Sequence, residues 1–152
     1  MITNPPTIRP AREDEVGVVL QLYEALFEPP GSRPESWDET HAAEALVAAI
    51  RSDDSAVLVA DLEGRPVGVC TAYLDLDSVR FGRRCWVEDL AVDRDSRSLG
   101  VGAALLAEAR AWAKQSGATH LELDTAETRT DAQRFYERER PSGRSISYGW
   151  KL

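Results

Sequence analysis

From residue 14 to residue 27 the apolar side chains Val16, Val19, Leu20, Tyr23 and Leu26 recur at three- and four-residue spacing, which predicts one amphipathic helix behind a short extended piece at 7–9. Three Pro and a Gly between 28 and 34 end it. A second helix follows over 38–51, with Ala42, Ala45, Leu46 and Ala49 or Ile50 inward and Ser36 or Asp38 as its cap. The period then changes. Residues 56–61 and 66–74 are rich in Val, Ala and Leu, and Leu62-Glu63-Gly64-Arg65 between them suits a tight hairpin. A third strand is expected over 84–92. A helix over 97–117 carries Leu105, Leu106, Ala109, Trp112 and Ala113 on one stripe and stops at Gly117. A strand over 120–125, a short helix over 130–138 and a last strand over 145–151, alternating Ile146, Tyr148 and Trp150, complete the order βααβββαβαβ. This is an α+β chain with a mixed sheet, and its 152 residues are expected to form one domain, 1–152.

Composition narrows the function classes. With 43% hydrophobic and 29% charged residues, a disordered chain is excluded. The net charge of −8 would repel a phosphate backbone, so no nucleic-acid partner is expected. The charge is uneven. Residues 13–63 carry thirteen acids and two Arg, whereas 129–152 carry six basic residues and three acids, so opposite ends favour opposite ligands. Cys70 and Cys85 lie in apolar, strand-like contexts without CxxC or Cys/His spacing, which fits a reduced interior and implies no metal. The first ten residues lack a leader pattern and no run approaches 18 apolar residues, so a cytoplasmic protein without membrane attachment is expected.

The stretch that carries chemistry runs from Val87 to Leu106. A strand passes into the loop Asp93-Arg94-Asp95-Ser96, and Gly100 and Gly102 then open a helix. The first N–H groups of a helix are unpaired and partly positive, and glycine lets an anion approach the main chain, so a phosphate is expected over Leu99 to Ala103, aided by Arg94 and Arg97. Two nucleotide motifs fail on spacing. No Gly-Lys-Ser/Thr is present for a Walker loop. Seven residues separate Val92 from Gly100, and Leu105 stands where a Rossmann fingerprint has Gly or Ala.

Arg97-Ser98-Leu99-Gly100-Val101-Gly102 resembles the Arg/Gln-x-x-Gly-x-Gly/Ala signature of the GNAT superfamily of acyl-CoA-dependent N-acetyltransferases. Glu88-Asp89-Leu90-Ala91-Val92 before it, Asp131-Ala132-Gln133-Arg134-Phe135-Tyr136-Glu137 after it and the Ile8-Arg9-Pro10-Ala11 opening are similar to the family in the same order. The resemblance implies a mixed, mostly antiparallel sheet flanked by helices on both faces. It also implies a V-shaped splay between the strands ending at Val92 and Thr125, in which acetyl-CoA lies. The pantetheine arm would pair with the main chain of Leu90, Ala91 and Val92. The pyrophosphate would take the loop and amides of Arg97, Ser98, Leu99, Gly100, Val101, Gly102 and Ala103, and Asp131 would stand where the family has an Asn beside the cofactor. Tyr136 matches the acid that protonates the leaving thiolate. The chain departs from the family after Glu137, where Arg138-Glu139-Arg140-Pro141-Ser142-Gly143 replaces a Leu-Gly-Phe-like turn.

Two readings of each catalytic candidate stand at this point. Tyr136 is the acid or, with Phe135, an aromatic anchor. Glu88 is expected to alternate with Leu90 and Val92 and face the acceptor as the base, or else to be solvated or paired with Arg84 or Arg134; Asp89, Glu122, His120 and His41 are weaker candidates. The expected function is acetyl transfer from acetyl-CoA to a primary amine of a small molecule or peptide by direct attack in a ternary complex. The acidic first third would steer a cationic acceptor such as a polyamine or an aminoglycoside-like amine, or merely solvate its helices. The alternative is a non-catalytic acyl-CoA-binding or sensing domain. The C-terminal aromatic strand raises a further expectation, a homodimer.

Overall fold

A two-residue reversal organises the first half of the sheet. In the computed structural model, which describes residues 4–152, Glu63 and Gly64 take φ of 54° and 79°. That backbone folds Ser55–Leu62 (β2) back onto Arg65–Ser78 (β3) with the twist a two-residue hairpin needs. Thr7–Pro10 (β1) pairs with β2, Gly82–Val92 (β4) returns antiparallel along β3, and His120–Glu122 (β5) adds in parallel to β4. The order is β1-β2-β3-β4-β5, a mixed and mostly antiparallel sheet. Met1 to Thr3, part of the stretch read for a leader, lie outside the described residues. Among the described residues no helix is long and apolar enough to cross a membrane.

Period-two alternation divides the core between two faces. Leu58, Ala60, Cys70 and Ala72 meet Val101, Leu105, Ala109 and Ala113 of Val101–Gln115 (α4) on one side. Val57, Val59 and Val69 meet Val19, Leu20 and Leu22 of Val16–Leu22 (α1) and Leu46 and Ala49 of Glu39–Arg51 (α3) on the other. Gly68 is the seat of α4. A Cβ there would stand 2.9 Å from Val101 Cγ1, 3.0 Å from Leu105 Cδ1 and 3.2 Å from the Ala91 carbonyl, so a side chain would lift the helix that carries the glycine motif.

Several expected boundaries change, each for a local reason. The single helix over 14–27 is a 3₁₀ turn at Glu13–Glu15, α1, and the short helix Glu24–Phe27 (α2). The break falls at Tyr23, where Tyr23 N–H bonds the Leu20 carbonyl and Leu26 N–H bonds the Tyr23 carbonyl, tighter three-residue links than the α ladder. α3 begins at Glu39 because Asp38 caps it, accepting from the amides of Thr40 and His41 at 2.9 and 3.2 Å. β3 and β4 extend to a turn at Ser78 and Gly82, held by Arg84 donating to both oxygens of Asp75 at 3.0 and 2.8 Å. α4 starts at Val101, not residue 97, because Ser98 and Gly100 are left-handed, with φ of 66° and 80°. Thr130–Arg138 (α5) lies as expected.

The last strand is not formed. Residues 145–151 pair with nothing among the described residues, and Ile146, Tyr148 and Trp150 are 76%, 75% and 81% exposed. A strand needs a neighbour for its N–H and C=O groups. After α5 the chain turns through Arg140 at φ 57°, and an ion pair from Arg144 to Glu137 at 3.1 Å holds it beside that helix.

Arg9 ties β1 to the start of α1. It donates to both oxygens of buried Glu15 at 2.7 and 2.9 Å and to Asp61 at 2.7 Å, while Arg12 N–H donates to Glu15 at 2.7 Å. These bonds, Arg9 first, hold the Glu15 carboxyl at about 2, well below its ordinary 4.5. A depressed carboxyl stabilises the fold above its unfolded value, and the contribution is lost as pH falls through the folded one. Between pH 5 and pH 2 the wild type is expected to lose on the order of 3 kcal/mol that Glu15→Gln does not lose, checked by urea unfolding at each pH.

Candidate active site

The loop before α4 presents main-chain donors. Asp93 N–H is pinned to the Val67 carbonyl at 2.7 Å, and a 3₁₀ turn, Arg94–Ser96, leads to the left-handed Ser98 and Gly100. The first bond of the helix is Ala104 N–H to the Gly100 carbonyl at 3.0 Å, so the amides of Val101, Gly102 and Ala103 precede the ladder, and no side chain caps them. Space within 4 Å of a Cβ at Gly100 is open. Gly102 does something else: a Cβ there would touch the Phe135 ring at 3.4 Å, so the second glycine lets α5 dock on the first turn of α4.

The positive charge expected here is smaller than the sequence implied. Arg97 donates from Nε to the Val92 carbonyl at 3.4 Å and stands 3.8 Å from Glu28, and Arg94 lines a cleft with Glu24, Glu28 and Arg65. Folding brings Glu28 of the first third to Arg97 and places Glu24 and Glu28 in the cleft that Arg94 lines.

β4 and β5 pair only through Arg84–Trp86 and His120–Glu122. Beyond Trp86 the β5 side of β4 has no strand partner among the described residues, so the edge that includes Leu90, Ala91 and Val92 opens beside the start of α4, whose Val101 packs on Gly68, the partner of Val92. β5 ends at Glu122 and not at residue 125, which widens this opening.

A bulge in β4 overturns the expected facing of Glu88. Ala72 pairs with Val87 but Thr71 with Asp89, so one extra residue enters β4. Cys85 and Val87 face α4 before it, and Leu90 and Val92 face α4 after it. Glu88 therefore does not alternate with Leu90 and Val92. It is exposed and accepts from Trp86 Nε1 at 2.6 Å. Neither proposed arginine reaches it: Arg84 pairs with Asp75 and Glu122, and Arg134 with Asp131. Asp89 turns toward α1, accepting from Tyr23 Oη and Thr71 Oγ1 at 2.8 Å each. Burial, and then the Asp89 charge, push the Tyr23 phenol well above its ordinary range and raise that of Tyr73. Tyr73 and Trp86 are cross-strand partners, so two aromatic rings stand beside the two carboxylates of the bulge.

Tyr136 lies half-buried on α5, its ring 5.1 Å from Phe135. Burial pushes its hydroxyl up to about 12, with Cys70 acting in the same direction and Arg129 against it. Among the described residues no buried side-chain polar atom lacks a partner and no protein group bonds the Tyr136 hydroxyl, so that hydroxyl reaches the surface. Asp131 is exposed on the first turn of α5, paired with Arg134.

Residues 18–140 match the model of the acetyltransferase (GNAT) family. The chain belongs to the GNAT family. It is an acyltransferase. The chain is 28% identical over 130 residues to the uncharacterized N-acetyltransferase YhfO of Bacillus subtilis (strain 168), covering 86% of this chain and 85% of the relative. The fold is similar to that of an aminoglycoside acetyltransferase, meta-AAC0020, from an uncultured soil metagenomic sample, solved with sisomicin: TM-score 0.76, 21% identity, 97% of this chain and 96% of that one. It is also similar to AAC(6')-Iy bound to the bisubstrate analogue CoA-S-monomethyl-acetylneamine, with TM-score 0.78 and 21% identity over 98% of this chain and 100% of that one.

In this GNAT chain the structure brings Leu90 to Val92, the loop 97–100 and the α4 amides to one opening. The weaker candidates are dispersed. His120 is engaged by Thr119 at 2.9 Å, and His41 is exposed on the first turn of α3. Sequence reasoning missed Tyr23 and Thr71 altogether and ranked Asp89 below Glu88. No signal links Tyr23 to a carboxylate 66 residues away.

Proposed function

We propose that this GNAT chain acts as one N-acetyltransferase domain over residues 1–152 and transfers acetyl from acetyl-CoA to a primary amine, with a cationic amine as acceptor. One observation carries the reading: an uncapped α4 N-terminus adjoins a β4 edge left without a partner beyond Trp86. The amides of Val101 to Ala103 suit the pyrophosphate, and a peptide-like edge at Leu90 to Val92 suits the two amides of pantetheine. Arg97, Ser98, Leu99 and Gly100 shape that cradle, and Asp131 borders it.

Amine and thioester meet in a ternary complex. Glu88, exposed at the bulge, takes the ammonium proton directly or through a water. The nitrogen lone pair attacks the thioester carbonyl carbon; the C–N bond forms and the C–S bond breaks, leaving its electron pair on sulfur. The Tyr136 phenol donates a hydrogen bond to that thiolate as its charge develops, and the second ammonium proton, now on the acylated nitrogen, passes through water to the sulfur, leaving amide and CoA thiol. Asp89, Glu88, Tyr73 and Trp86 supply carboxylate and ring faces that favour an alkylammonium. The fold shared with AAC(6')-Iy and meta-AAC0020 supports an amine acceptor by analogy. A cytoplasmic location supplies acetyl-CoA and keeps Cys70 and Cys85 reduced, and the working form is a homodimer.

Release of CoA thiol from acetyl-CoA is measured across cationic, neutral and anionic amines. Cationic amines should give the highest kcat/KM, and the preference should weaken with added salt. Equal turnover across the three classes removes the cationic acceptor. Binding of acetyl-CoA without thiol release for any amine makes the chain an acyl-CoA-binding or sensing domain.

A further inference from the structure

One side-chain bond spans 103 residues: Arg129 Nη2 donates to the Leu26 carbonyl at 2.7 Å in a partly buried setting. That carbonyl lies in the last turn of α2, where a helix leaves its oxygens without ladder partners, so a guanidinium there makes a charge-assisted bond. The loop after α2 is shaped for it. A Cβ on Gly31 would fall on the Leu26 oxygen and on Arg129 Nη2, and would stand 3.1 Å from Arg129 Cζ, so glycine leaves the guanidinium its seat. The other end is braced as well. Arg129 directly precedes α5, its N–H bonds the Ala126 carbonyl at 2.9 Å, and Gln133 Nε2 donates to the carbonyls of Ala126 and Glu127 at 3.0 and 2.9 Å.

We infer that Arg129 is a positioning residue for the transfer: by fastening the start of α5 to the end of α2, it sets where Tyr136 stands against the bulge of β4. The inference rests on the reading of Tyr136 as the acid. Tyr136 follows Arg129 by seven residues, two turns along α5, so the two stand on one side of that helix. Against the larger effect of burial, the Arg129 charge acts on the Tyr136 phenol, as it does only between neighbours. α2 is fixed in turn to the bulge, because Tyr23, the residue before it, donates to Asp89 at 2.8 Å. Asp89 adjoins Glu88. Two bonds, Arg129 to Leu26 and Tyr23 to Asp89, therefore run from the helix of the acid to the strand of the base. Reacting groups are sensitive to such alignment, since a misplacement of about 1 Å can cost about 100-fold in rate. Neither Arg129 nor Gly31 belongs to the edge at Leu90 to Val92 or the amides of Val101 to Ala103, so the clamp governs turnover and not acetyl-CoA affinity.

Release of CoA thiol from acetyl-CoA is followed with spermidine and with sisomicin as acceptors. The variants are Arg129→Gln, Gly31→Ala, which keeps the guanidinium but fills its seat, and each of these combined with Tyr136→Phe. Each single variant should lower kcat about 10- to 100-fold with KM for acetyl-CoA within a few-fold of wild type. Neither should lower kcat further in Tyr136→Phe, because the clamp acts through the hydroxyl that is gone. Hydrogen exchange at the Gly31 amide, bonded to the Glu28 carbonyl at 2.8 Å, should quicken in Arg129→Gln while the amides of α4 keep wild-type rates. If neither amine is turned over, the exchange at Gly31 decides. Wild-type kcat in Arg129→Gln, a loss that multiplies in full on that of Tyr136→Phe, or unchanged exchange at Gly31 each overturns the inference and leaves the acid reading standing. Wild-type kcat in Tyr136→Phe overturns the acid reading, and the inference falls with it.

Discussion

Tyr136→Phe is expected to lower kcat for acetyl transfer by about 10²- to 10⁴-fold, the usual span for loss of a positioned acid, while acetyl-CoA affinity stays within a few-fold of wild type. The split follows from where the hydroxyl sits. Burial pushes it up to about 12, so the phenol is protonated across the neutral range and ready to donate. A thiol near pKa ~8.5 is the stronger acid, so complete transfer from the phenol is uphill; the hydroxyl acts by bonding the developing thiolate as charge accumulates. That interaction is absent before the C–S bond stretches, which is why it acts on turnover and not on binding. Phe keeps the ring packing on Phe135 at 5.1 Å, so melting temperature should hardly move. The anchor reading makes the opposite forecast: full turnover in Tyr136→Phe, with a loss of stability only when the ring itself is removed in Tyr136→Leu. Because the phenol does not titrate near neutrality, the acid limb of the kcat/KM profile should belong to the base and the amine and persist in the Phe variant.

What the sequence could and could not reveal divides along the range of the interactions. The Glu63-Gly64 hairpin, the Asp38 cap and the stripe of α4 are set by neighbours a few residues away, and all were readable. So was the order of elements through α5 apart from the break at Tyr23, since hydrophobic period is a local quantity. The bulge was not. Glu88 and Asp89 read as an ordinary strand pair, and only the register against Thr71 and Ala72 shows that one extra residue turns Asp89 toward Tyr23. The charge of the cradle failed for a similar reason, because Glu28 reaches Arg97 only after α2 folds over the loop. Residues 145–151 show the third kind of limit. Alternation states that a segment can be a strand, but strand formation is a property of the pair, and the partner edge is not encoded within the segment.

Gly100→Val should weaken acetyl-CoA binding by at least about 100-fold, whereas its effect on folding should be only about 1–2 kcal/mol. Two separate terms lie behind these figures. The first is backbone: Gly100 sits at φ 80° as the residue before α4, where a β-branched side chain is strained in the free protein as in the complex. The second is access. Among the described residues, nothing but the adjoining Leu99 and Val101 can lie within 4 Å of a Cβ at this position, so the folded chain has room for one, and the position immediately precedes the uncapped amides of Val101 to Ala103. Methyl groups there hold an anion off the amides, and losing two charge-assisted bonds of about 1.5 kcal/mol or more each accounts for the 100-fold. Gly100→Asn separates the terms, since Asn tolerates the left-handed region but still carries a Cβ and an amide. Titration calorimetry with acetyl-CoA and a thermal melt on both variants decide the matter. Near-native stability with lost affinity in Asn assigns the effect to access, equal losses of stability and affinity in Val with a normal Asn assign it to the backbone, and unchanged affinity in both removes the phosphate from this end of α4.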